Sequence, residues 1–367
     1  MAAYLFVVVS TKEKLITKSV TNAKWTYLFL IAPILSIPWS IMPTRSAFHG
    51  ALLIAFGVIF AVSHVIFIKK DIRWIYSISM YSTVIFSLIF LLILATFGSV
   101  RVSGRTGDLV GAMSNRIPAV ILPFGPYLYV MWKMKKNRMY VLLSSILLIF
   151  IVFASESRAA YGIIFSYLVL IPYFTSRRLL RVVKRTAALS LIGVIAGTGL
   201  YLLLGPQFLQ SVLERFSDSQ LLQLELSTLT ESEGDFGRAV MFLETYNIVE
   251  EDPLIGIGYN TFKEYMKSRY TFGRISHNIV LSVWGEMGIF GLITFVGMVS
   301  TAFWYAKKGQ IGARSRGETE QRLFLGASRA ALTILLIHAM FRPQLTNPTL
   351  WIVLAACLGV GKANCTY

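Results

Sequence analysis

Three residues of this sequence have the types and settings that chemistry at a membrane surface would need: Arg158, Arg238 and His277. An arginine guanidinium is planar, stays charged and donates two parallel hydrogen bonds, which suits a diphosphate. A histidine with a pKa near neutrality suits removal of a proton from a hydroxyl group. Two cations and one base favour transfer from a lipid-linked diphosphate to an acceptor hydroxyl, because the departing diphosphate needs charge stabilisation more than protonation.

Each of these residues is predicted at a helix end, on the side of the membrane that holds the longest loop. Arg158 follows a long apolar run, Arg238 lies in a helix predicted over about 236–250, and His277 opens the apolar run after the loop. The backbone N–H groups at the two later helix starts would add donors for an anion. Helical spacing predicts that the inner side of the 236–250 helix is formed by Ala239, Phe242, Leu243 and Tyr246.

The composition excludes an ordinary water-soluble protein. Of the 367 residues, 55% are apolar and 14% are charged, whereas a soluble domain carries about 25% charged residues. Apolar runs close to the length that crosses a bilayer, about 20 residues, recur along the chain. The sequence therefore predicts an all-α polytopic membrane protein with about ten transmembrane helices. The predicted spans lie near 26–43, 48–68, 74–97, 118–132, 139–156, 159–174, 186–204, 277–305, 323–341 and 349–361.

The net charge of +17 is distributed as a membrane topology requires, and this distribution argues against nucleic acid as a partner. With the N-terminus in the cytoplasm and ten alternating spans, the cytoplasmic segments hold 22 Lys and Arg residues and the short outer segments hold 6. Cytoplasmic loops of membrane proteins carry the excess of positive charge. Both termini are therefore predicted to be cytoplasmic, and the loop of 205–276 is predicted to be periplasmic.

This topology divides the chain into three parts. Residues 1–204 form a bundle of about seven spans, residues 205–276 form a periplasmic loop with amphipathic helices, and residues 277–367 add about three spans. The loop holds 11 of the 18 acidic residues, so the basic character of the chain belongs to the cytoplasmic face. Cys357 and Cys365 form neither a disulfide framework nor a CxxC metal pattern, and no metal or cofactor is expected.

The two arginines lie in short motifs. Arg158 is the second residue of Ser-Arg-Ala-Ala at 157–160. Arg238 is followed by Pro-Leu-Ile-Gly-Ile-Gly at 253–258 and then by Phe262. These patterns resemble the Ser-Arg-Gly/Ala motif and the Arg, Pro-Leu-x-Gly-x-Gly, Phe pattern of the O-antigen ligase and polymerase superfamily, which assembles bacterial envelope glycans.

A third pattern extends the resemblance. His277 and Gly288 match the His-x10-Gly motif of the ligases, and Glu-Met-Gly-Ile-Phe-Gly at 286–291 has the superfamily's Glu-x-Gly-x-x-Gly form. The three patterns occur in the order that the family has, and the resemblance covers roughly residues 100–345. Compared with typical members, the N-terminus is predicted to be one or two spans shorter and the outer loop to be compact.

The resemblance implies a fold and a reaction. The fold would be a GT-C-like helical bundle in the bacterial inner membrane, with its active site at the periplasmic face. Arg158 and Arg238 would bind the undecaprenyl diphosphate of a lipid-linked glycan donor, and His277 would activate the acceptor hydroxyl. Transfer would be inverting and metal-independent. The preferred activity is that of an O-antigen ligase, whose acceptor is lipid A-core.

Other interpretations stay open. A polymerase would transfer the glycan to another lipid-linked repeat unit. A transporter or flippase would use Glu286 and His338, which fall in predicted spans. The preferred roles are packing for Glu286 and interhelical hydrogen bonding for His338. Arg116 and Arg342 lie on the predicted outer face. They are candidates for binding phosphate or sugar, and the alternative is that they anchor helices at the interface.

Overall fold

The computed structural model contains only helices as regular elements in the residues that it describes. These residues are 23–69, 71–97, 119–154, 158–176, 184, 187, 236–270, 276, 278–340 and 345–365. The predicted all-α class is confirmed for this part of the chain. In chain order the α-helices are α1 (Lys24–Leu35), α2 (Pro43–Ile68), α3 (Arg73–Phe97), α4 (Gly125–Lys133), α5 (Arg138–Ala154), α6 (Arg158–Thr175), α7 (Phe236–Glu251), α8 (Phe262–Arg269), α9 (Ile279–Ser315), α10 (Thr319–Ala339) and α11 (Pro348–Cys365).

The chain divides into two compact units. The first comprises residues 1–72 and 233–367, and the second comprises residues 73–232. In the first unit, α9 packs against α1, α10 and α11, while α2 packs against α11. In the second unit, α5 packs against α3 and α4. The helix that contains Arg238 and the helix that begins after His277 therefore belong to one unit, and the helix that begins at Arg158 belongs to the other.

Four of the described helices are long and apolar enough to cross a membrane, namely α2, α9, α10 and α11. Shorter apolar helices cover Lys24–Leu35, Arg138–Val152 and Gly162–Thr175. The predicted multi-pass, helical membrane character is therefore confirmed. The total of ten spans and the GT-C arrangement remain predictions, and the predicted run of 186–204 lies almost entirely outside the described residues.

The first predicted span is interrupted. The apolar run of 26–43 predicts one continuous helix, but α1 ends at Leu35 and the chain turns before α2 begins at Pro43. Proline lacks a backbone N–H and fixes φ, so Pro38 cannot donate a helical hydrogen bond to the Ile34 carbonyl and disfavours continuation of the helix. The same properties make Pro43 favourable at the start of α2. The turn between these helices contacts the loop after α7, since the Ile41 N–H donates to the Ile257 carbonyl at 3.0 Å.

Helix α9 is bent at Gly288. As one straight helix, its 37 residues would rise roughly 55 Å, well beyond the roughly 30 Å of a hydrocarbon core. Gly288 has φ +64° and ψ −167°, a conformation outside the helical region that glycine adopts because it has no Cβ. The bend separates a short segment, 279–287, from the longer segment 289–315.

The first unit has two ends that carry different polar contacts. At one end, Arg45 at the start of α2 donates to the carbonyl of Asn260 at 2.9 Å. At the other, Arg316 after α9 donates to the carbonyl of Asn364 at 3.3 Å. The topology predicted from charge also groups Arg45 with the 205–276 loop and separates it from Arg316. Which end faces the periplasm remains a prediction.

Candidate functional site

The helix starts predicted for the two arginines are present. Arg158 is the first residue of α6, and Arg238 is the third residue of α7. Helix α7 covers Phe236–Glu251, which confirms the helix predicted over about 236–250. The side chains of Arg158 and Arg238, and the whole of Arg116, His277 and Arg342, lie outside the described residues. Since Arg158 belongs to the second unit and Arg238 to the first, the convergence of the three principal candidates remains a prediction.

Both neighbours of His277 are described, and both are held by hydrogen bonds. Asn278 caps α9, because its side-chain oxygen accepts the N–H groups of Val280 at 2.9 Å and Leu281 at 3.2 Å. The predicted helix start beside His277 is therefore confirmed. Asn278 therefore occupies two of the N–H groups at a helix start that the sequence predicts as a source of donors for an anion. An asparagine at this position satisfies donors that the helix itself leaves without partners.

The start of α9 is joined to α7 by a pair of hydroxyl groups. Ser276 is buried, and its hydroxyl is hydrogen-bonded to that of Thr245 on α7 at 3.3 Å. Thr245 follows Arg238 by about two helical turns, a rise of roughly 10 Å. The helix that carries Arg238 is thus fixed to the residue that precedes His277.

The side of α7 that packs against the protein is the opposite of the predicted one. Phe242, Leu243 and Tyr246 are exposed, so the predicted inner side is wrong for these three residues, while the side chain of Ala239 lies outside the described residues. The buried face contains Met241, Glu244, Thr245, Ile248 and Val249. Met241 and Ile248 pack with α8 in an apolar cluster, and Thr245 meets Ser276. Apolar periodicity identifies an apolar stripe, but it does not say whether protein or lipid covers it.

Glu244 connects α7 to α8 and to the chain that leads to His277. Its carboxylate accepts the Tyr270 hydroxyl at 2.7 Å and the Arg269 guanidinium at 3.4 Å. The hydrogen bond to Glu244 raises the pKa of Tyr270, because the carboxylate favours the protonated phenol. Burial raises the pKa of Tyr265 to about 12, and the Arg269 guanidinium lies 4.7 Å from its ring centroid.

The glycine-rich loop after α7 binds to the backbone of α9 at its bend. The N–H groups of Ile257 and Gly258 donate to the carbonyls of Gly285 and Glu286, both at 2.9 Å. In the opposite direction, the N–H of Ile289 donates to the Leu254 carbonyl at 3.3 Å. The bend makes these pairings possible, since backbone groups that a straight helix would use internally are available to the loop.

The Glu286 carboxylate completes this junction. It accepts the backbone N–H of Asn260 at 2.8 Å and that of Phe262 at 3.2 Å. Phe262 is the first residue of α8, so Glu286 satisfies a donor at the start of that helix. The preferred interpretation of Glu286 as a packing residue agrees with these contacts.

Arg45 is a contributor that sequence reasoning did not single out. Besides its bond to the Asn260 carbonyl, it forms an ion pair with Glu264 at 2.6 Å. A hydrogen bond from Lys267, together with the charge of Arg45, lowers the pKa of Glu264. In the sequence, Arg45 is one of several outer-side arginines and lies more than 200 positions from its partners. The only sequence feature that pointed to this contact was the predicted topology, which places Arg45 and the 205–276 loop on the same side of the membrane.

Residues 143–296 can be assigned to a family from the order of their motifs and from a match to a family model. The model described as O-Antigen ligase matches residues 143–296. This segment belongs to the O-antigen ligase superfamily. The O-antigen ligase segment contains Arg158, Arg238, His277 and the bend at Gly288 in a single match. No curated protein matches the chain.

Proposed function

We propose that this protein is a glycosyltransferase that moves a glycan from undecaprenyl diphosphate to an acceptor hydroxyl at the periplasmic face of the bacterial inner membrane. The preferred activity is that of an O-antigen ligase with lipid A-core as acceptor, in lipopolysaccharide biosynthesis. The observation that carries the proposal is the O-antigen ligase match over 143–296, since it includes both arginines and the histidine that the chemistry requires.

The chemistry assigns a role to each candidate. His277 accepts the proton of the acceptor hydroxyl as the oxygen attacks the anomeric carbon of the donor sugar. A new C–O bond forms while the bond from that carbon to the diphosphate oxygen breaks, which inverts the configuration of the carbon. The lipid diphosphate leaves with the electron pair. Arg158 and Arg238 stabilise its negative charge, and the candidates Arg116 and Arg342 assist with phosphate or sugar.

The described scaffold supports this proposal through the contacts around Glu244, Thr245 and Ser276. They fix α7, which carries Arg238, to the chain that leads to His277. A catalytic base and a charged ligand need a fixed separation, because small misplacements are costly in rate.

A polymerase is the alternative within the same chemistry, with a lipid-linked repeat unit as acceptor. Deletion of the gene separates the two by the lipopolysaccharide ladder on a gel. Loss of a ligase leaves lipid A-core without any O-antigen, while polymerised glycan remains on its lipid carrier. Loss of a polymerase leaves core carrying a single repeat unit. An unchanged ladder would contradict both activities in lipopolysaccharide assembly.

A transporter or flippase is the alternative of a different class. It should depend on Glu286 and His338 and on an ion gradient, and it should tolerate loss of His277. The engagement of Glu286 with two backbone N–H groups favours a structural role for that residue. The deciding experiment is transfer by the purified protein in detergent, with lipid-linked glycan and lipid A-core, where no gradient exists. Transfer under these conditions supports the enzyme, and its absence with an otherwise intact protein contradicts it.

A further inference from the structure

Helix α7 and the turn after it expose an apolar surface while burying polar groups. Glu244 and Thr245 face the protein beside Met241, Ile248 and Val249, whereas five apolar side chains are between 40% and 67% exposed. A helix that lies against protein in water exposes mainly polar side chains on its outer side. We call these five exposed residues the apolar ledge: Phe242, Leu243, Tyr246, Leu254 and Ile255.

The apolar ledge is continuous with the exposed side of the span formed by α9. The Leu254 carbonyl accepts the N–H of Ile289, so the ledge meets α9 directly at its bend. From there, Phe290, Ile293 and Val296 are also exposed, by 38%, 52% and 50%. Their spacing of three places them on one helix face. In a membrane-spanning helix, an exposed apolar face of this kind is covered by lipid.

The length of α9 places the ledge at one boundary of the bilayer. From Gly288 to Lys308 the helix rises roughly 30 Å, which is the thickness of the hydrocarbon core. At the Lys308 end, the ammonium group lies 4.1 Å from the Trp304 ring centroid, and tryptophan and lysine are typical residues of a membrane interface. Gly288, and Leu254 beside it, therefore lie near the opposite interface.

We propose that the apolar ledge inserts into the bilayer at this interface, so that α7 lies on the membrane with lipid acyl chains against Phe242, Leu243 and Tyr246. An interfacial helix of this kind buries its apolar side at the boundary between headgroups and acyl chains. The exposed acidic residues at the end of α7, Glu250 and Glu251, then lie at the headgroup level. This proposal does not depend on the proposed function, because it concerns only the surface of α7 and α9.

Fluorescence quenching in reconstituted vesicles tests the proposal with the full-length chain. In a background with Cys357→Ala and Cys365→Ser, an environment-sensitive fluorophore is attached at Leu243→Cys. Two matched positions calibrate it, Ile293→Cys on the exposed face of the span and Lys267→Cys on the exposed polar side of α8. The quenchers are phospholipids brominated on their acyl chains and iodide in the aqueous phase.

We expect the probe at 243 to lose emission in brominated lipid to the same extent as the probe at 293, and to resist iodide as that probe does. A probe at 243 that follows the one at 267, with quenching by iodide only, would show a water-facing surface and overturn the proposal. Insensitivity to both quenchers would overturn it too, since protein would then cover the ledge. The measurement is then repeated in nanodiscs that each hold one protein molecule. If quenching by brominated lipid appears in the nanodiscs but not in the vesicles, a second copy of the chain covers the ledge in the vesicles.

Discussion

The Glu286 carboxylate of α9 accepts the backbone N–H of Phe262, the residue at which α8 begins, at 3.2 Å. Its other oxygen accepts the N–H of Asn260 at 2.8 Å. The Pro-Leu-x-Gly-x-Gly and Glu-x-Gly-x-x-Gly patterns, which are separate in the sequence, therefore form one structural unit. In that unit the loop crosses α9 at the Gly288 bend, and the Glu286 carboxylate binds the end of the loop, where α8 begins.

Removal of the Glu286 carboxylate should weaken this unit. Glu286→Ala leaves two backbone donors without their acceptor, at a cost of about 1–3 kcal/mol each if no water replaces it. We expect a clearly lower unfolding temperature of the purified protein in detergent. The unfolding temperature of Glu286→Gln should lie between those of the wild type and Glu286→Ala, since the amide oxygen retains one acceptor. The control is Glu250→Ala on the exposed side of α7, and equal stability of both alanine variants would contradict the assigned role.

The bend at Gly288 should not tolerate a side chain. Gly288→Ala forces a positive φ on an alanine, and its Cβ would collide with the Leu254 carbonyl. The backbone strain alone costs about 1–3 kcal/mol, and the collision adds to that loss of stability. The unfolding temperature and the expression level measure the effect. Gly162→Ala is a control for glycine removal within a helix, because nothing lies within 4 Å of its added Cβ. A Gly288→Ala protein as stable as the wild type would mean that the bend is not required.

Lysine should be a poor substitute for either candidate arginine. If Arg158 and Arg238 each bind the diphosphate through two parallel hydrogen bonds, a lysine cannot reproduce that geometry. Arg158→Lys and Arg238→Lys should lose most transfer activity while the proteins still insert and purify normally. The same change at Arg101 or Arg215 should have a mild effect. Full activity in both site variants would reduce these arginines to interface anchors.

Replacement of His277 should separate the chemical step from donor binding. His277→Ala should reduce transfer by about 10²–10⁴-fold, the usual contribution of a general base, while binding of the lipid-linked donor stays nearly intact. Wild-type activity should fall as the pH drops and the imidazole becomes protonated, because only the neutral imidazole accepts a proton. Weaker donor binding with an unchanged pH profile would instead make His277 a phosphate ligand.

The predicted orientation can be measured directly. Because positive charge in the short segments favours one side by 22 to 6, residues 205–276 should face the periplasm. Single cysteines introduced as Ser219→Cys and Ser232→Cys should react with a membrane-impermeant maleimide in intact cells whose outer membrane has been permeabilised. Labelling that requires lysis of the inner membrane would reverse the topology and remove the periplasmic site.

The sequence by itself was sufficient for the helical class, for the extent of α7 and for the family resemblance. Apolar runs, Pro43 at a helix start and the pattern over Phe236–Glu251 are local signals, and helix formation depends mainly on local backbone bonding and apolar burial. The order of Arg158, Arg238, His277 and Gly288 also survives in the linear sequence, which is why the resemblance to the O-antigen ligases was visible and the family match over 143–296 agrees with it.

Only the tertiary structure decided which groups meet. Arg45 lies more than 200 positions from Asn260 and Glu264, and no periodicity records such a pair. The structure also reversed the buried side of α7: an apolar stripe reads the same whether protein or lipid covers it, because both remove apolar surface from water. The bend at Gly288 needed a partner as well, since the backbone groups that it releases are satisfied by the loop between α7 and α8, which precedes it in the chain.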